Sequence, residues 1–190
     1  MRRFACETPP SGLNAVFATA LQGHLPTLAT DRLILRAPRV ADFDCFAEIA
    51  CTERGRFFGG PMSREDAWAE FAAMTGGWLL HGHGLWTIGG PSGVLGFVVL
   101  GFEPGDREPE LGWFLTADAE GHGYAFEAAK AARAHAYTDL GWTTLVSYID
   151  PANRRSLALA RRLGALEDGA IVEDGERTLI LRHPASEALA

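Results

Sequence analysis

The chain has 190 residues, of which 47% are hydrophobic and 22% are charged, and its formal net charge is −7. This length and composition predict one globular domain with a substantial core and an appended segment, because the chain is too short for two full domains. The acidic balance argues against a general nucleic-acid binder, whose phosphate contacts require a basic surface.

No apolar run approaches the roughly 20 residues that span a bilayer, and the first ten residues lack the apolar core of a signal peptide. We therefore expect a cytoplasmic protein that does not enter a membrane. The three cysteines are odd in number and do not have the spacing of a metal site, so we expect reduced, structural thiols. They are Cys6, Cys45 and Cys51.

Residues 1–27 are predicted to be an N-terminal extension with one short amphipathic helix at residues 13–21. The domain proper is expected at residues 28–183, followed by a tail at residues 184–190. It begins with a strand at residues 32–36. Two helices follow this strand, one after an N-cap at Asp42 and one after an N-cap at Ser63, and the Gly76-Gly77 pair is expected to end the second.

The rest of the chain alternates strands and helices. An alanine-rich helix is predicted from Gly123 to about Leu140, and another runs from near Asn153 to Leu163. A strand on each side of the alanine-rich helix implies a parallel pair. Gly112, inside one strand, suggests a bulge or a close approach of the backbone. The further strands are predicted at residues 85–89, 94–100, 110–115, 143–149, 170–173 and 177–181, with turns at residues 90–93 and 174–175.

A Gly-His-Gly turn at residues 121–123 joins a strand to the alanine-rich helix. Glycines allow a tight turn and a close approach to a ligand, and a helix N-terminus favours anions. A phosphate site is one interpretation, and a simple reversal of the chain is the other. The turn lacks the Gly-Lys-Ser/Thr of a P-loop and is a poor match to a dinucleotide fingerprint.

The helix after Asn153 is strongly two-sided. At about 100° per residue, Ser156 shares an inward arc with Leu157 and Ala160, whereas the arginines lie opposite. Ser156 could be a small core residue and Asn153 only an N-cap. The arginines could simply form a solvated face.

Taken together, four motifs resemble the GNAT superfamily of acyl-CoA-dependent N-acetyltransferases. They are Thr-Asp-Arg-Leu-Ile-Leu-Arg at residues 30–36, Glu-Leu-Gly-Trp at residues 110–113, Gly-His-Gly-Tyr-Ala-Phe-Glu-Ala at residues 121–128, and Asn-Arg-Arg-Ser-Leu at residues 153–157. Their order is similar to that of the branch containing the ribosomal-protein N-terminal acetyltransferases. The resemblance covers residues 28–181.

The resemblance implies an α+β fold of the GNAT type, with three layers. A twisted mixed sheet of about seven strands is splayed between its fourth and fifth strands and flanked by about four helices. Acetyl-CoA is the implied co-substrate, without a metal, and its pantetheine arm lies in the splay. The implied cofactor-binding residues are Phe114, Leu115, Thr116, Gly121, His122, Gly123, Tyr124, Ala125, Asn153, Arg154, Arg155 and Ser156.

The resemblance also implies where catalysis occurs. A backbone N–H near Trp113 or Phe114 would bind the oxyanion, and Glu110 is the first candidate for general base. Many relatives have a tyrosine general acid where this chain has Ala160. In the branch that this chain resembles, that role is assigned to the serine three residues after the asparagine, which makes Ser156 the candidate acid and Tyr148 a remote second candidate.

Glu120 departs from the family pattern, because relatives often have glutamine or arginine at this position and the branch that this chain resembles has tryptophan. A carboxylate beside a pyrophosphate should repel it. From the sequence we expect Glu120→Gln to lower the dissociation constant for acetyl-CoA.

The function that follows is transfer of acetyl from acetyl-CoA to a primary amine, on a small molecule or on a peptide N-terminus. The alternative is a non-catalytic CoA-binding sensor or scaffold. The acceptor is expected to contact residues 56–61 and 102–109, where acidic side chains favour a cation. His81 and His83 could be read as a metal pair, but a third ligand is not evident and a turn is the expected role. A homodimer is among the oligomeric states that the sequence leaves open.

Overall fold

The computed structural model describes residues 3–173 and 175–185. The helices are α1 Gly12–Gly23, α2 Phe43–Ala50, α3 Arg64–His81, α4 Tyr124–Thr138 and α5 Arg154–Arg162. The strands are β1 Leu28–Ala29, β2 Ile34–Arg36, β3 Leu85–Gly90, β4 Gly93–Gly101, β5 Glu110–Leu115, β6 Val146–Ile149, β7 Leu166–Glu173 and β8 Glu176–Arg182. The predicted turn residue Asp174 and residues 186–190 of the predicted tail lie outside the described residues.

The strands form one mixed sheet in the order β1-β2-β3-β4-β5-β6-β8-β7. The expected three-layer α+β architecture is confirmed; the described residues form eight strands instead of about seven and five α-helices instead of about four. The additional strand, β1, has only two residues, and it pairs with β2 through Leu28 and Leu35. Two residues are too few for the alternation that identifies a strand in a sequence.

Helices cover both faces of the sheet. Phe97 of β4 packs among the aromatic side chains of α2 and α3, whereas its neighbour Val98 packs against Ala128 and Ala132 of α4. Successive side chains of a strand point to opposite faces, so α2 and α3 lie on one side and α4 lies on the other. The alanines of α4 let its backbone come close to β4 and β5.

The predicted stop of α3 at Gly76-Gly77 is wrong, because the helix continues to His81. Gly82 follows as the C-cap, and its φ of 75° is in the left-handed region that suits a helix C-terminus. Gly77 has a packing role instead. A Cβ atom there would lie 2.8 Å from the carbonyl oxygen of His83, so the glycine lets the chain pass close to the helix on its way into β3.

Strands β5 and β6 open the sheet. They pair in parallel only where Glu110 faces Val146, and the Val146 N–H also donates to the Pro109 carbonyl at 3.0 Å. Beyond this pair the strands separate, which confirms the expected splay.

Gly112 lies on β5 and does not form a bulge. β5 stays in register with β4 along its whole length, and the register shift is instead between β3 and β4, at Ile88 and Gly89, where Leu95 of β4 is the extra residue. A Cβ atom on Gly112 would lie 2.8 Å from Val99 Cγ1. Of the two alternatives from the sequence, close approach is therefore the correct one.

The N-terminal residues pack on the domain. The buried Glu7 carboxylate accepts from Arg64 at 2.8 and 2.7 Å, and Trp86 Nε1 donates to the Pro26 carbonyl at 2.8 Å. A helix is present where one was predicted, as α1. The domain boundaries at residues 27/28 and 183/184 stay predictions. None of the described helices combines the length and the apolar character needed to cross a bilayer.

Candidate active site

A cleft of about 1070 Å³ opens beside the carboxyl end of β5. One wall is the 3₁₀ turn Glu53–Phe57 with the residues next to it, and the other is one side of α5 along its whole length. The loop before α4 forms the floor. The predicted cofactor-binding residues that line the cleft are Phe114, Leu115, Gly121, Gly123, Ala125, Asn153, Arg154, Arg155 and Ser156.

Gly121, Gly123 and Ala125, in the loop before α4 and the first turn of that helix, line the cleft, whereas His122 and Tyr124 do not. Gly121 and Gly123 have φ angles of 80° and 81°, which are unfavourable for residues with a Cβ atom. The first helical bond runs from the Glu127 N–H to the Gly123 carbonyl at 3.1 Å, so the N–H groups of Tyr124 and Ala125 have no acceptor within the helix. This geometry suits an anion such as a phosphate.

Glu127 anchors this loop to the start of the domain. Its carboxylate accepts from Thr30 Oγ1 at 2.6 Å, from the Arg32 N–H at 2.9 Å and from Arg32 Nε at 2.7 Å. Burial alone would raise the pKa of Glu127, but these hydrogen bonds leave it below its ordinary value. Arg32 Nη1 also donates to the His122 carbonyl at 3.1 Å. Glu127 is thus a structural contact that joins two distant motifs.

The start of α5 brings Asn153 and Ser156 to the opposite wall. Asn153 caps the helix, since its Oδ1 accepts from the Ser156 N–H at 3.2 Å. Ser156 is half-buried and faces the cleft, and Leu157 and Ala160 are buried beneath it. The division of the helix into two faces is as predicted, although the arginine face borders the cleft as well as solvent.

Fewer backbone groups of β5 are free to pair with pantetheine than the sequence predicted. The Thr116 N–H is already used, since it donates to the Leu95 carbonyl at 3.0 Å, and Thr116 does not line the cleft. The Leu115 carbonyl accepts from Arg54 Nη2 at 3.2 Å. Thr116 is therefore not in our proposed cofactor site, and Phe114 and Leu115 stay in it.

Glu110 lies at the closed end of the splay, where β5 and β6 still pair. Burial, and to a lesser extent the nearby Glu103 and Asp106 carboxylates, raise its pKa to about 8, against a hydrogen bond from the Tyr148 N–H at 3.3 Å. A pKa near the operating pH is what a general base requires. Because side chains alternate along β5, Glu110 points to the same face of the sheet as Phe114, away from α4.

Tyr148 is engaged elsewhere. Its hydroxyl accepts from the N–H groups of Arg107 and Glu108, both at 3.1 Å, so it holds the loop before β5. The residue does not line the cleft. We therefore leave Tyr148 out of the proposed mechanism, because its hydroxyl supports a loop and does not point at the cleft.

The acidic character of the loop before β5 is also reduced. Arg182 Nη1 and Nη2 bind the Glu108 carboxylate at 2.6 and 2.7 Å, and together with Thr144 Oγ1 they lower the pKa of Glu108 to about 2. Glu103 and Asp106 have raised pKa values, mainly through burial. Glu108 is thus a partner of Arg182, and only the other carboxylates contribute to a negative surface.

Glu120 does not stand alone beside the glycine loop. One carboxylate oxygen accepts from Arg54 and the other from Arg155 at 2.5 Å. The sequence does not show these counter-ions, because Arg54 comes from the turn after α2 on the opposite wall of the cleft. The expected effect of Glu120 on acetyl-CoA binding stays untested. Arg162, which lies over the Phe126 ring at 4.2 Å, was also missed as a lining residue. A helical wheel assigned it to solvent.

The histidine pair has separate environments. His83 is buried and its Nδ1 lies 2.9 Å from the Leu100 carbonyl, whereas His81 is exposed at the end of α3. Within residues 3–173 and 175–185, no group of three or more His, Cys, Asp or Glu side chains is arranged to hold a metal ion. His83 therefore has a structural role at the start of β3.

Known proteins share this fold. The sequence model of the acetyltransferase (GNAT) domain matches residues 32–166, more than half of the chain. An acetyltransferase from Agrobacterium tumefaciens strain C58 is 39% identical, with a TM-score of 0.78 and an alignment that covers 84% of this chain and 95% of that one.

Two more distant structures share the fold at low identity. Mycobacterium smegmatis RimJ, solved in complex with CoA-disulfide, is 19% identical with a TM-score of 0.70, covering 88% of this chain and 90% of that one. RimL, a ribosomal L7/L12 alpha-N-protein acetyltransferase solved in complex with coenzyme A, is 15% identical with a TM-score of 0.70, covering 84% and 98%. The open β5–β6 splay, with the glycine loop of residues 121–125 at its mouth, is consistent with this fold. The family-model match and the 39% identity to the Agrobacterium acetyltransferase show that the chain belongs to the GNAT superfamily and is an acyltransferase.

Proposed function

We propose that the protein transfers an acetyl group from acetyl-CoA to a primary amine, on a small molecule or on a peptide N-terminus. The observation that carries the proposal is a cleft beside the β5–β6 splay that is lined by Gly121, Gly123 and Ala125. Glu110 does not line this cleft, but it lies at the closed end of the splay, on the same strand as the lining residues Phe114 and Leu115. Glu110 suits removal of a proton from an ammonium, and the glycine loop suits the pyrophosphate of the donor.

The donor would lie along the splay. Backbone N–H groups from His122 to Ala125 would bind the pyrophosphate, and the open edge of β5 at Phe114 and Leu115 would pair with the pantetheine. Arg154, Arg155 and Asn153 border the same cleft on the α5 side. The bound thioester supplies an activated acetyl group and a thiol leaving group, whose ordinary pKa is about 8.5.

Side chains of the protein would then transfer the protons of the reaction. Glu110, with its pKa near 8, accepts a proton from the acceptor ammonium, directly or through water. The amine nitrogen forms a bond to the acetyl carbon while the carbon–sulfur bond breaks, and a backbone N–H near Trp113 or Phe114 would bind the developing oxyanion. As the amide forms, the nitrogen loses its second proton, and Ser156 can relay a proton to the departing sulfur, so that the serine hydroxyl is restored and CoA leaves as the thiol. This arrangement favours turnover over the alternative of a CoA-binding scaffold.

The acceptor would approach from the face of the sheet that carries α2 and α3. Glu110 and Phe114 point to this face, and Phe58 from the loop after α2 stacks on the Phe114 ring at 4.6 Å. The carboxylates of Glu103 and Asp106 influence Glu110 from the loop before β5. A cationic acceptor fits these charges.

The test is a turnover assay with purified protein, acetyl-CoA and a panel of amines and N-terminal peptides. A thiol reagent follows release of CoA, and mass spectrometry identifies the acetylated product. We expect release only with certain acceptors, with the acetyl group on nitrogen. Binding of acetyl-CoA without acceptor-dependent release across the panel would favour the scaffold.

Gly123→Ala is expected to weaken acetyl-CoA binding by about tenfold. Gly123 has a φ of 81°, and an L-residue with a Cβ atom costs about 1–2 kcal/mol in this conformation. Relaxation of that strain would turn the N–H groups away from the phosphates. Calorimetry measures the change. Gly141→Ala is the matched control, because Gly141 has a φ of 67° and open space around it but lies outside the cleft; an equal loss in both variants would contradict the proposed role of the loop.

Ser156→Ala is expected to lower kcat by about tenfold and to leave the dissociation constant for acetyl-CoA within about a factor of two. The effect is smaller than the loss of a typical general acid because a thiolate is a fair leaving group. Steady-state kinetics and calorimetry give the two values, with exposed Ser92→Ala as control. An unchanged kcat would remove Ser156 from the mechanism.

A further inference from the structure

Glu120 links the two walls of the cleft. It follows the short 3₁₀ turn Ala117–Ala119 at the start of the glycine loop, and its side chain is about one third exposed. One oxygen accepts from Arg54, which comes from the turn after α2, and the other accepts from Arg155 on α5. One carboxylate therefore fixes two arginines that are far apart in the sequence.

The two guanidinium groups keep donors for another partner. Each guanidinium has five N–H donors. The bonds to Glu120 use Arg54 Nη2 and Arg155 Nη1, and Arg54 Nη2 also donates to the Leu115 carbonyl at 3.2 Å. Arg54 Nε is buried and has no hydrogen-bond partner among the described residues. Both groups stand beside the N–H groups of the glycine loop, so they can bind the same anion that the loop binds.

Two effects of Glu120 oppose each other. Its negative charge repels a phosphate, which alone would weaken binding. Its two ion pairs hold long, flexible side chains in place, so that less conformational freedom is lost when a phosphate binds. Arg155 is largely exposed, with a side chain 82% accessible, and it has most freedom to lose. Ordering should outweigh repulsion, because the two arginines already offset the single carboxylate charge.

We propose that Glu120 is a positioning residue that holds Arg54 and Arg155 for the phosphate groups of acetyl-CoA. This inference rests on the proposed use of acetyl-CoA in the cleft. It reverses the direction expected from the sequence, since loss of the carboxylate now weakens the binding of the cofactor. It also makes the effect of Glu120 depend on the arginines.

The test is a mutant cycle read by calorimetry with acetyl-CoA. Glu120→Gln should raise the dissociation constant about fivefold in the wild-type background. In the background of Arg54→Met with Arg155→Met, only repulsion is left, and the same change should lower the constant. An equal or lower constant for Glu120→Gln in the wild-type background would overturn the proposal, as would the same fold-change in both backgrounds.

Three comparisons separate positioning from general damage. Pantetheine lacks the phosphates, so it should bind to the wild type and to Glu120→Gln with equal affinity. A general structural defect would instead weaken the binding of both pantetheine and acetyl-CoA. Glu65→Gln removes a negative charge from an exposed position outside the cleft, and Arg161→Met removes a positive charge from a position of α5 that does not line the cleft. Neither change should alter the dissociation constant for acetyl-CoA. If wild-type protein fails to bind acetyl-CoA, the proposed function fails; if only the cycle fails, the inference about Glu120 fails alone.

Discussion

Glu110→Gln is expected to lower kcat by about 100-fold or more, within the range found for loss of a general base. Glutamine keeps the size of the side chain but cannot accept a proton from an ammonium. Glu110 is far from the glycine loop, so the dissociation constant for acetyl-CoA should change little. Steady-state kinetics and calorimetry measure the two quantities, and Glu173→Gln on the exposed face of β7 is the control.

The pH dependence of the rate gives a second readout of Glu110. The base is active when ionised, so kcat/KM of the wild type should rise with pH through an apparent pKa of about 8. The variant should lose this limb and keep only the limb of the acceptor amine itself. A rate profile that is the same in both proteins would exclude Glu110 as the base.

The raised pKa also predicts a change in stability. The ordinary pKa of the carboxyl is 4.5 and the value in the folded protein is about 8, so between these values the folded state binds more protons than the unfolded state. The free energy of unfolding of the wild type therefore falls as pH rises from 4.5 to 8. Glutamine does not titrate. The variant should be more stable than the wild type by a few kcal/mol at pH 9, with a smaller difference at pH 5, in thermal melts.

Phe46→Ala should destabilise the fold by about 3–5 kcal/mol, which is typical of an aromatic side chain removed from a core. Phe46 is fully buried in the cluster between the sheet and α2 and α3. Its ring lies 5.3–5.7 Å from four other aromatic rings, those of Phe58, Phe71, Phe97 and Phe114. Denaturant unfolding at fixed pH measures the change.

The position of Phe46 predicts a functional effect as well. Phe58 and Phe114 both line the cleft and both rest on Phe46. Phe46→Leu, which keeps most of the volume, should cost less stability but still raise KM for the acceptor. Phe17→Ala on α1 is the control, because that ring is exposed. If Phe46→Ala lowered the free energy of unfolding by less than about 1 kcal/mol, the aromatic cluster would tolerate a cavity, and Phe46 would not be the support of Phe58 and Phe114 that we propose.

Much of the fold could be predicted because it depends on local patterns. The β-branched run of β6, the alanines of α4 and the two-sided pattern of α5 are visible in short windows, and their order implies the parallel pair. The error at Gly76-Gly77 has a long-range cause. Those glycines have the composition of a helix stop, but Gly77 serves contact with His83, which follows the helix in sequence and packs back against it.

The candidate site was harder to predict where charges pair across the fold. The backbone of the glycine loop and the inward face of α5 follow from residues close in sequence. The partners of Glu120 and Glu108 do not, because Arg54 and Arg182 are 66 and 74 residues away from them. A sequence shows a charge but not its counter-ion. This is why an apparent repulsive residue proved to be the centre of an ion-pair network.

The most direct test of the account is a crystal structure of the protein with bound acetyl-CoA. We predict that the pyrophosphate accepts hydrogen bonds from the N–H groups of residues 122–125, with Arg54 and Arg155 beside it and Glu120 still paired to both. The thioester should lie between β5 and β6, with its carbonyl oxygen near the backbone of Trp113 or Phe114 and Glu110 at the closed end. Acetyl-CoA bound outside this splay, or with its pyrophosphate away from the glycine loop, would contradict the account.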